Sequence, residues 1–332
     1  MATAPTPNHD IGGRAPMLRY TIRRILQLIP VVIGVSFIIF FIMDLAPGDI
    51  VDIEGAEEGL TQEEMDQRRE EYGLNDNVVI RYGRYMLNFI QGDLGTSYTT
   101  KKPVLDEFLA KLPSTMKLAA ASALVSVVIS LTLGIYGALH RGTLGDNAAM
   151  VASFLGLSIP NFWLGLMLII LFSLKLGWLP SGGNKEFVSI ILPAITVGTG
   201  LTASLARTTR SSMLDVLSQD YLRTERAKGT PERTVILKYA LRNALIPIVT
   251  IAGGQFAGAL GGSVLTETVF AWPGVGRLIT DAVSARDVPM VTGGIIMKTI
   301  IIGVILLCID LLYAVIDPRI KAQYAKGGKK RK

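Results

Sequence analysis

The chain has 332 residues, half of them hydrophobic, with a mean hydropathy of +0.43. An average so apolar excludes an ordinary soluble domain and points to membrane spans, each needing about 20 apolar residues to cross the hydrocarbon. The net charge of +6 is distributed as a topology signal rather than as a surface for nucleic acid.

Residues 1–24 read as a cytoplasmic tail, with Arg14, Arg19, Arg23 and Arg24 against Asp10. The first span is Ile25–Met43, too long for a typical signal-peptide core and not closely followed by a small-x-small cleavage site, so it is expected to stay uncleaved. Met43-Asp44-Leu45-Ala46-Pro47-Gly48 is its exit. Segment 44–117 holds 15 acidic and 8 basic residues, which places it outside by the positive-inside rule. It reads as a folded helical insertion. Thr61-x-x-Glu64 is a capping box opening a helix that ends at Gly73. A second helix, about Val78–Ile90, stops at Gly92-Asp93-Leu94-Gly95. A third, Asp106–Leu112, stops at Pro113. The insertion is either an acidic solvated cap or a landing surface for a soluble partner.

Spans two to four are expected at Leu118–Leu139, Ala149–Leu174 and Ile190–Leu205. Pro160 interrupts the third and removes a backbone hydrogen bond; the fourth is short and carries Pro193. Loop 206–243, with 8 basic and 4 acidic residues, belongs inside. Spans five and six are Ala244–Leu265 and Val291–Val315. The tail 317–332 holds 7 basic residues against Asp317. Six spans with both ends cytoplasmic satisfy every charge bias, so the fold class is all-α and polytopic, with a transmembrane domain over 25–316.

The loop before span five carries the most information. Ser218 is a candidate N-cap, and Asp220 sits in the first turn, where a helix N-terminus favours negative charge. Arg226 and Lys228 sit in the last turn, and Gly229 is placed to take the left-handed C′ conformation. Thr230-Pro231 then starts a second helix. A charged helix of about ten residues cannot span a bilayer; it lies on the membrane surface or docks into a protein groove.

Gly229 and the Asn243-Ala244-Leu245-Ile246-Pro247 run resemble the loop by which permeases of binding-protein-dependent ABC importers grip their ATPase. Arg223 stands at that loop's glutamate position, followed by Thr224 and Glu225 in place of two alanines. Tyr221-Leu222-Arg223-Thr224 and Arg226-Ala227-Lys228-Gly229 are similar to the variant of the dipeptide/oligopeptide branch. Gly92-Asp93-Leu94-Gly95-Thr96-Ser97, Ser158-Ile159-Pro160-Asn161-Phe162-Trp163 and the run from Glu267 through Trp272-Pro273-Gly274 to Leu278 match it in order, so the likeness covers about 17–320. The resemblance implies ATPase coupling through Asp220, Tyr221, Leu222, Arg223, Glu225, Arg226, Lys228 and Gly229. It also implies a second related permease as heterodimer partner, two ABC ATPase subunits using ATP and Mg2+, an extracytoplasmic binding protein, and a bacterial or archaeal cytoplasmic membrane. Peptide cargo is the first expectation; nickel chelates, glutathione and oligosaccharides are alternatives within the class.

Helix packing or the translocation path is expected at Gly254, Gly258 and Gly262, whose small-xxx-small spacing lets helices approach closely, and at Gln255. Lys298, seven residues into the last span, either snorkels or faces a cavity, because a mid-membrane lysine costs roughly 2.5–3.5 kcal/mol. Cys308, the single cysteine, lies in an apolar run and reads as a buried side chain. His9 and His140 have no metal-site spacing. No G-x-x-x-x-G-K-[ST] phosphate loop occurs, and no acid/base pair or nucleophile elbow, so catalytic and cofactor-binding residues are expected on partners only. Few intramembrane carboxylates and no clear inverted repeat argue against a secondary carrier; a carrier or channel without ATPase is the alternative of a different class.

Overall fold

A computed structural model describes residues 15–316. The tails 1–14, with His9, and 317–332, with the basic run, lie outside the described residues. Helix α1 (Ala15–Leu45) starts ten residues before the expected span, because the arginines preceding Ile25 are good helix formers and nothing there stops a helix. Its lower half is pinned to the last helix: Tyr20 donates to Asp310 at 2.6 Å, and Arg24 pairs with the same carboxylate at 2.9 Å.

The insertion comprises α2 (Ile50–Glu58), α3 (Gln62–Glu71) and α4 (Val78–Ile90). Capping boxes at Asp49/Asp52 and Thr61/Glu64 open α2 and α3, and Arg68 bridges Glu54 and Glu58 to hold the two together. The third expected helix does not stop at Pro113. It is the beginning of α5 (Val104–Leu139), which runs straight through that proline. A proline costs a helix one backbone bond and a steric kink, and here the surrounding helices hold the segment in place.

The expected third span is broken. Helix α6 (Leu144–Ser158) and α7 (Asn161–Leu168) with its π-helical continuation Ile169–Lys175 meet at 98°. Ile159 is extended, as a residue before proline prefers, and Pro160 restarts the helix. After a 3-10 turn (Phe187–Ile190), α8 (Ile191–Leu217) runs twelve residues beyond the expected end of the fourth span. Then come α9 (Asp220–Ala227), α10 (Glu232–Thr234) and a π-helical turn (Val235–Ala240), followed by α11 (Leu241–Gly262), α12 (Val264–Val269), α13 (Val275–Ser284) and α14 (Val288–Ile316). Among the described residues five helices are long and apolar enough to cross a membrane, six if the bent α6–α7 pair counts as one span, and there is no β-strand.

The centre of the bundle is the α5–α8 pair. Ser122, Ser126, Ser130, Gly134 and Ala138 recur every fourth residue on α5, all buried, and face Ala194, Gly198, Thr202 and Ala206 on α8. A Cβ on Gly198 would lie 2.8 Å from the Ser122 carbonyl, and one on Gly134 2.6 Å from Thr209. The Ser130 hydroxyl donates to the Thr202 carbonyl at 3.0 Å. Small residues let the two backbones approach, and hydroxyls satisfy polar groups in the interface.

Candidate functional site

The segment singled out by its charges folds as a short helix set across the end of the bundle. Gln219, not Ser218, occupies the cap position of α9; Ser218 stays in helical geometry and donates to the Asp215 carbonyl, so its hydroxyl is not available to α9. The C-terminus is as the sequence requires. Gly229 has φ +80, its N–H donates to the Arg226 carbonyl, and the Thr230 N–H reaches back to Glu225. These two bonds are the Schellman pattern that a left-handed C′ residue closes. The corner is braced by Lys228 on Glu225 at 2.7 Å and by a two-pronged Arg226–Glu232 pair at 3.0 and 2.8 Å. The hydrogen bond from Lys228 holds the Glu225 carboxyl below its usual range, and the same bond raises the lysine.

The faces of α9 divide sharply. Leu222 is fully buried in a core with Ala138 of α5, Leu205 and Met213 of α8, and Val235, Ala240, Ala244 and Ile248 of the segment that becomes α11. Asp220 and Arg223 point outward, 96% and 81% exposed at their side chains. One leucine thus keys the helix into three spans while its charges remain open to a partner. Beside it, the turn between α5 and α6 is clamped. Arg210 of α8 binds Asp146 through two 2.6 Å bonds, and the Gly142 N–H donates to the same carboxylate. The sequence hint for Asp146 was its place three residues after the Thr143 cap.

The run from Glu267 onward forms a second knot, near the Pro113 region of α5. The Glu267 carboxylate is fully buried. It accepts from the Thr115 hydroxyl at 2.8 Å, the Ser263 hydroxyl at 3.1 Å and the Arg277 N–H at 3.1 Å. Gly274 and Gly276 pack directly on it, leaving no room for a side chain. Trp272 donates its indole N–H to the Ser114 carbonyl at 3.0 Å. A carboxylate followed at seven and nine residues by glycines was the available signal.

The residues expected at helix packing or a path are dispersed. Gln255 accepts from Ser126 at 3.0 Å and donates to the Leu201 carbonyl at 2.6 Å, so its amide ties α11 to α5 and α8. Positions 254, 258 and 262 have no atom within 4 Å of where a Cβ would sit; the intrachain small-residue seam lies on α5 and α8 instead. Lys298 donates to the Gly261 carbonyl at 3.3 Å, where the last carbonyls of α11 attract a cation. Cys308 is exposed rather than buried, on a helix that leaves much of its surface open.

The geometry is joined by clear kinship. Residues 130–322 match the model of the binding-protein-dependent transport system inner membrane component, and residues 17–119 match that of its N-terminal part. The chain belongs to that family. It is 42% identical to the oligopeptide transport system permease protein AppB of Bacillus subtilis (strain 168), over 92% of this chain and all of the relative. It is 40% identical to the glutathione transport system permease protein GsiC of Escherichia coli (strain K12), over 92% of this chain and 99% of that one. Among solved structures it is similar in fold to the membrane subunit in an inward-facing MetNI methionine ABC transporter, with a TM-score of 0.53, 18% identity, and coverage of 64% of this chain and 96% of that one. The family member is a multi-pass membrane permease, a transport component and not a catalyst; ATP hydrolysis lies in partner subunits.

Proposed function

We propose that this permease carries di- or oligopeptides inward, with α9 as the element that couples the pore to ATP hydrolysis. The observation that carries the coupling role is the split of α9 into a fully buried Leu222 and the outward Asp220–Arg223 pair. A partner that grips the exposed charges moves the buried leucine, and the leucine moves α5, α8 and α11 together. Such a lever needs differential contacts in two states.

In this reading both termini and α9 are cytoplasmic, and the insertion 44–117 is external and receives a binding protein. A second related permease completes the pore against the open Gly254–Gly258–Gly262 side of α11, and two ATPases bind below. Peptide cargo follows the AppB likeness; glutathione, itself a tripeptide, follows the GsiC likeness. Reconstitution of the chain with its companion permease, ATPases and binding protein separates them: ATP-dependent uptake of labelled tri- to pentapeptides is expected, and uptake of glutathione alone would select the second cargo. Uptake that persists without the ATPases would overturn the coupling role in favour of a carrier or channel.

A further inference from the structure

We infer that α4, in the acidic insertion, is a membrane-interface helix whose outer face is covered by lipid acyl chains. The helix crosses α1 well inside that span. The Tyr82 hydroxyl donates to the Ile33 carbonyl at 3.2 Å and lies 2.9 Å from Ser36 Oγ. The Tyr82 ring stands edge-on to Phe37 with centroids 5.5 Å apart. Ser36 lies nine residues before the end of α1 at Leu45, which at about 1.5 Å per residue is roughly 13 Å down the helix. Helix α1 is the neighbour most plainly meant for lipid: it forms an apolar span, and Ile29, Ile33, Phe37 and Ile38 on it are exposed. A helix docked on α1 at that depth cannot stand clear of the bilayer.

The residues of α4 sort into three arcs when laid out at about 3.6 per turn. Tyr82, Tyr85, Met86 and Phe89 are half-buried and form the packing arc; Phe89 joins the core of Met43, Leu94, Val104 and Met290. Arg84 and Asn88 form an exposed polar arc. Between them Val79, Ile80, Gly83, Leu87 and Ile90 form an exposed apolar arc roughly 100° wide, with Leu87 63% and Ile90 76% exposed. A helix with one face on protein, one on water and one on neither belongs at a lipid–water boundary, where such helices bury their apolar face roughly 5–10 Å deep. The apolar arc is aliphatic and lacks the Trp, Tyr and Arg anchors of a protein hot spot. Through Tyr82 and Phe37 it adjoins the aliphatic face of α1. The occupant is therefore the bilayer rather than a soluble partner. In this arrangement α4 fixes the depth of the insertion, with α2 and α3 above it.

The inference rests on the chain's place in the membrane and not on which side the insertion faces. The test is nitroxide accessibility in the complete transporter reconstituted in phosphatidylcholine bilayers, in a Cys308→Ser background. Labels at Ile80→Cys and Leu87→Cys should be relaxed by molecular oxygen several-fold more, relative to nickel ethylenediaminediacetate, than a label at Asn88→Cys. Ile33→Cys on α1 is the lipid-facing control. A nickel preference at Leu87 and Ile80 equal to that at Asn88 would show a solvated face and overturn the inference. So would low accessibility to both relaxants, which would show a protein neighbour, the companion permease included. Because both positions are exposed on the helix surface, the labelled variants fold, and failure of Ile33 alone would count against the membrane placement of α1 instead.

Discussion

The Asn243 side chain donates to the Tyr221 hydroxyl at 2.9 Å and to the Tyr239 carbonyl at 2.8 Å. One amide thereby ties α9 to the π-helical turn that leads into α11. π-helical turns are rare and occur frequently at functional sites. The link gives α9 a second route into the bundle beside Leu222. Neutral hydrogen bonds are worth about 1 kcal/mol each, so Asn243→Ala, which loses two, should weaken the link by at most about 2 kcal/mol and reduce cargo-stimulated ATP hydrolysis. Tyr221→Phe keeps the ring and loses the bond from Asn243 and a long 3.5 Å bond to the Tyr239 carbonyl; it leaves Asn243 its own 2.8 Å bond to that carbonyl and should do less. Both variants should insert normally. Hydrolysis that responds to loaded binding protein at the wild-type level in Asn243→Ala would remove this link from the coupling path.

Gly229 isolates the angle of the lever from its packing. No atom lies within 4 Å of a Cβ placed there, yet φ is +80. The penalty for a side chain is therefore conformational, about 1 kcal/mol for Ala and more for a β-branched residue. Gly229→Val should leave a folded, inserted chain with weak ATPase pull-down and no cargo response, while Gly229→Asn should retain most of both, since Asn tolerates the left-handed region. Equal behaviour of Val, Asn and Gly in reconstituted membranes would show that the corner does not set the grip.

The Glu267 knot should govern stability. Removing its carboxylate leaves two hydroxyls and the Arg277 N–H buried without their acceptor. Glu267→Ala should cost on the order of 1–3 kcal/mol for each buried donor it leaves unsatisfied, read as a lowered melting temperature in detergent. Glu267→Gln should cost less, because an amide oxygen can still serve some of these donors. Gly274→Ala should be damaging too, because its new methyl would meet the carboxylate. If Gly274→Ala melts with the wild type, the close packing around Glu267 is not what holds α13.

Some features were legible in the sequence for local reasons. The Thr61–Glu64 box, the Gly73 and Gly92 stops and the Gly229 corner depend on residues within one turn of each other, and each appears where those residues place it. What failed depended on distant partners. Pro113 looked like a stop because a lone helix would break there, but the packed bundle carries α5 through it. The same proline chemistry at Pro160 did break a span, with Ile159 in the extended conformation that a residue before proline prefers. The tight intrachain seam was not singled out: Ser122, Ser126, Ser130 and Gly134 of α5 meet Ala194, Gly198 and Thr202 of α8, while the glycine ridge of α11 stays open. Nothing in the local sequence says which of two small-residue stripes will find a partner within its own chain. Glu267 read as part of a loop motif; that it is the acceptor for three separate segments required the fold.

The insertion should also be sensitive to acid. Burial opposes ionisation of Glu54, but hydrogen bonds from Lys101, Arg68 and Tyr72 win and hold its pKa below the usual glutamate value of 4.5. A lowered folded pKa means that the network contributes stability above that usual value and loses it as pH falls through the folded one. Limited proteolysis of the α2–α3 region should accelerate below pH about 4.5. Glu54→Gln should be cleaved faster at neutral pH and lose that part of the pH response. A profile unchanged by Glu54→Gln would mean that other carboxylates control the opening.

The proposed sidedness rests on charge alone. The insertion carries 15 acidic residues against 8 basic ones, and 206–243 reverses the balance with 8 basic against 4 acidic. Basic loops are retained on the cytoplasmic side. Glu57 in α2 and Arg223 in α9 are both exposed, so cysteines at either report the compartment rather than burial. In a Cys308→Ser background, Glu57→Cys should react with an impermeant maleimide in sealed spheroplasts. Arg223→Cys should react only after permeabilisation. If Arg223→Cys labels from outside, α9 cannot meet an ATPase in the cytoplasm and the coupling proposal falls with the topology. If neither site labels until the membrane is opened, the insertion is internal, and a binding protein would have to be met by another surface.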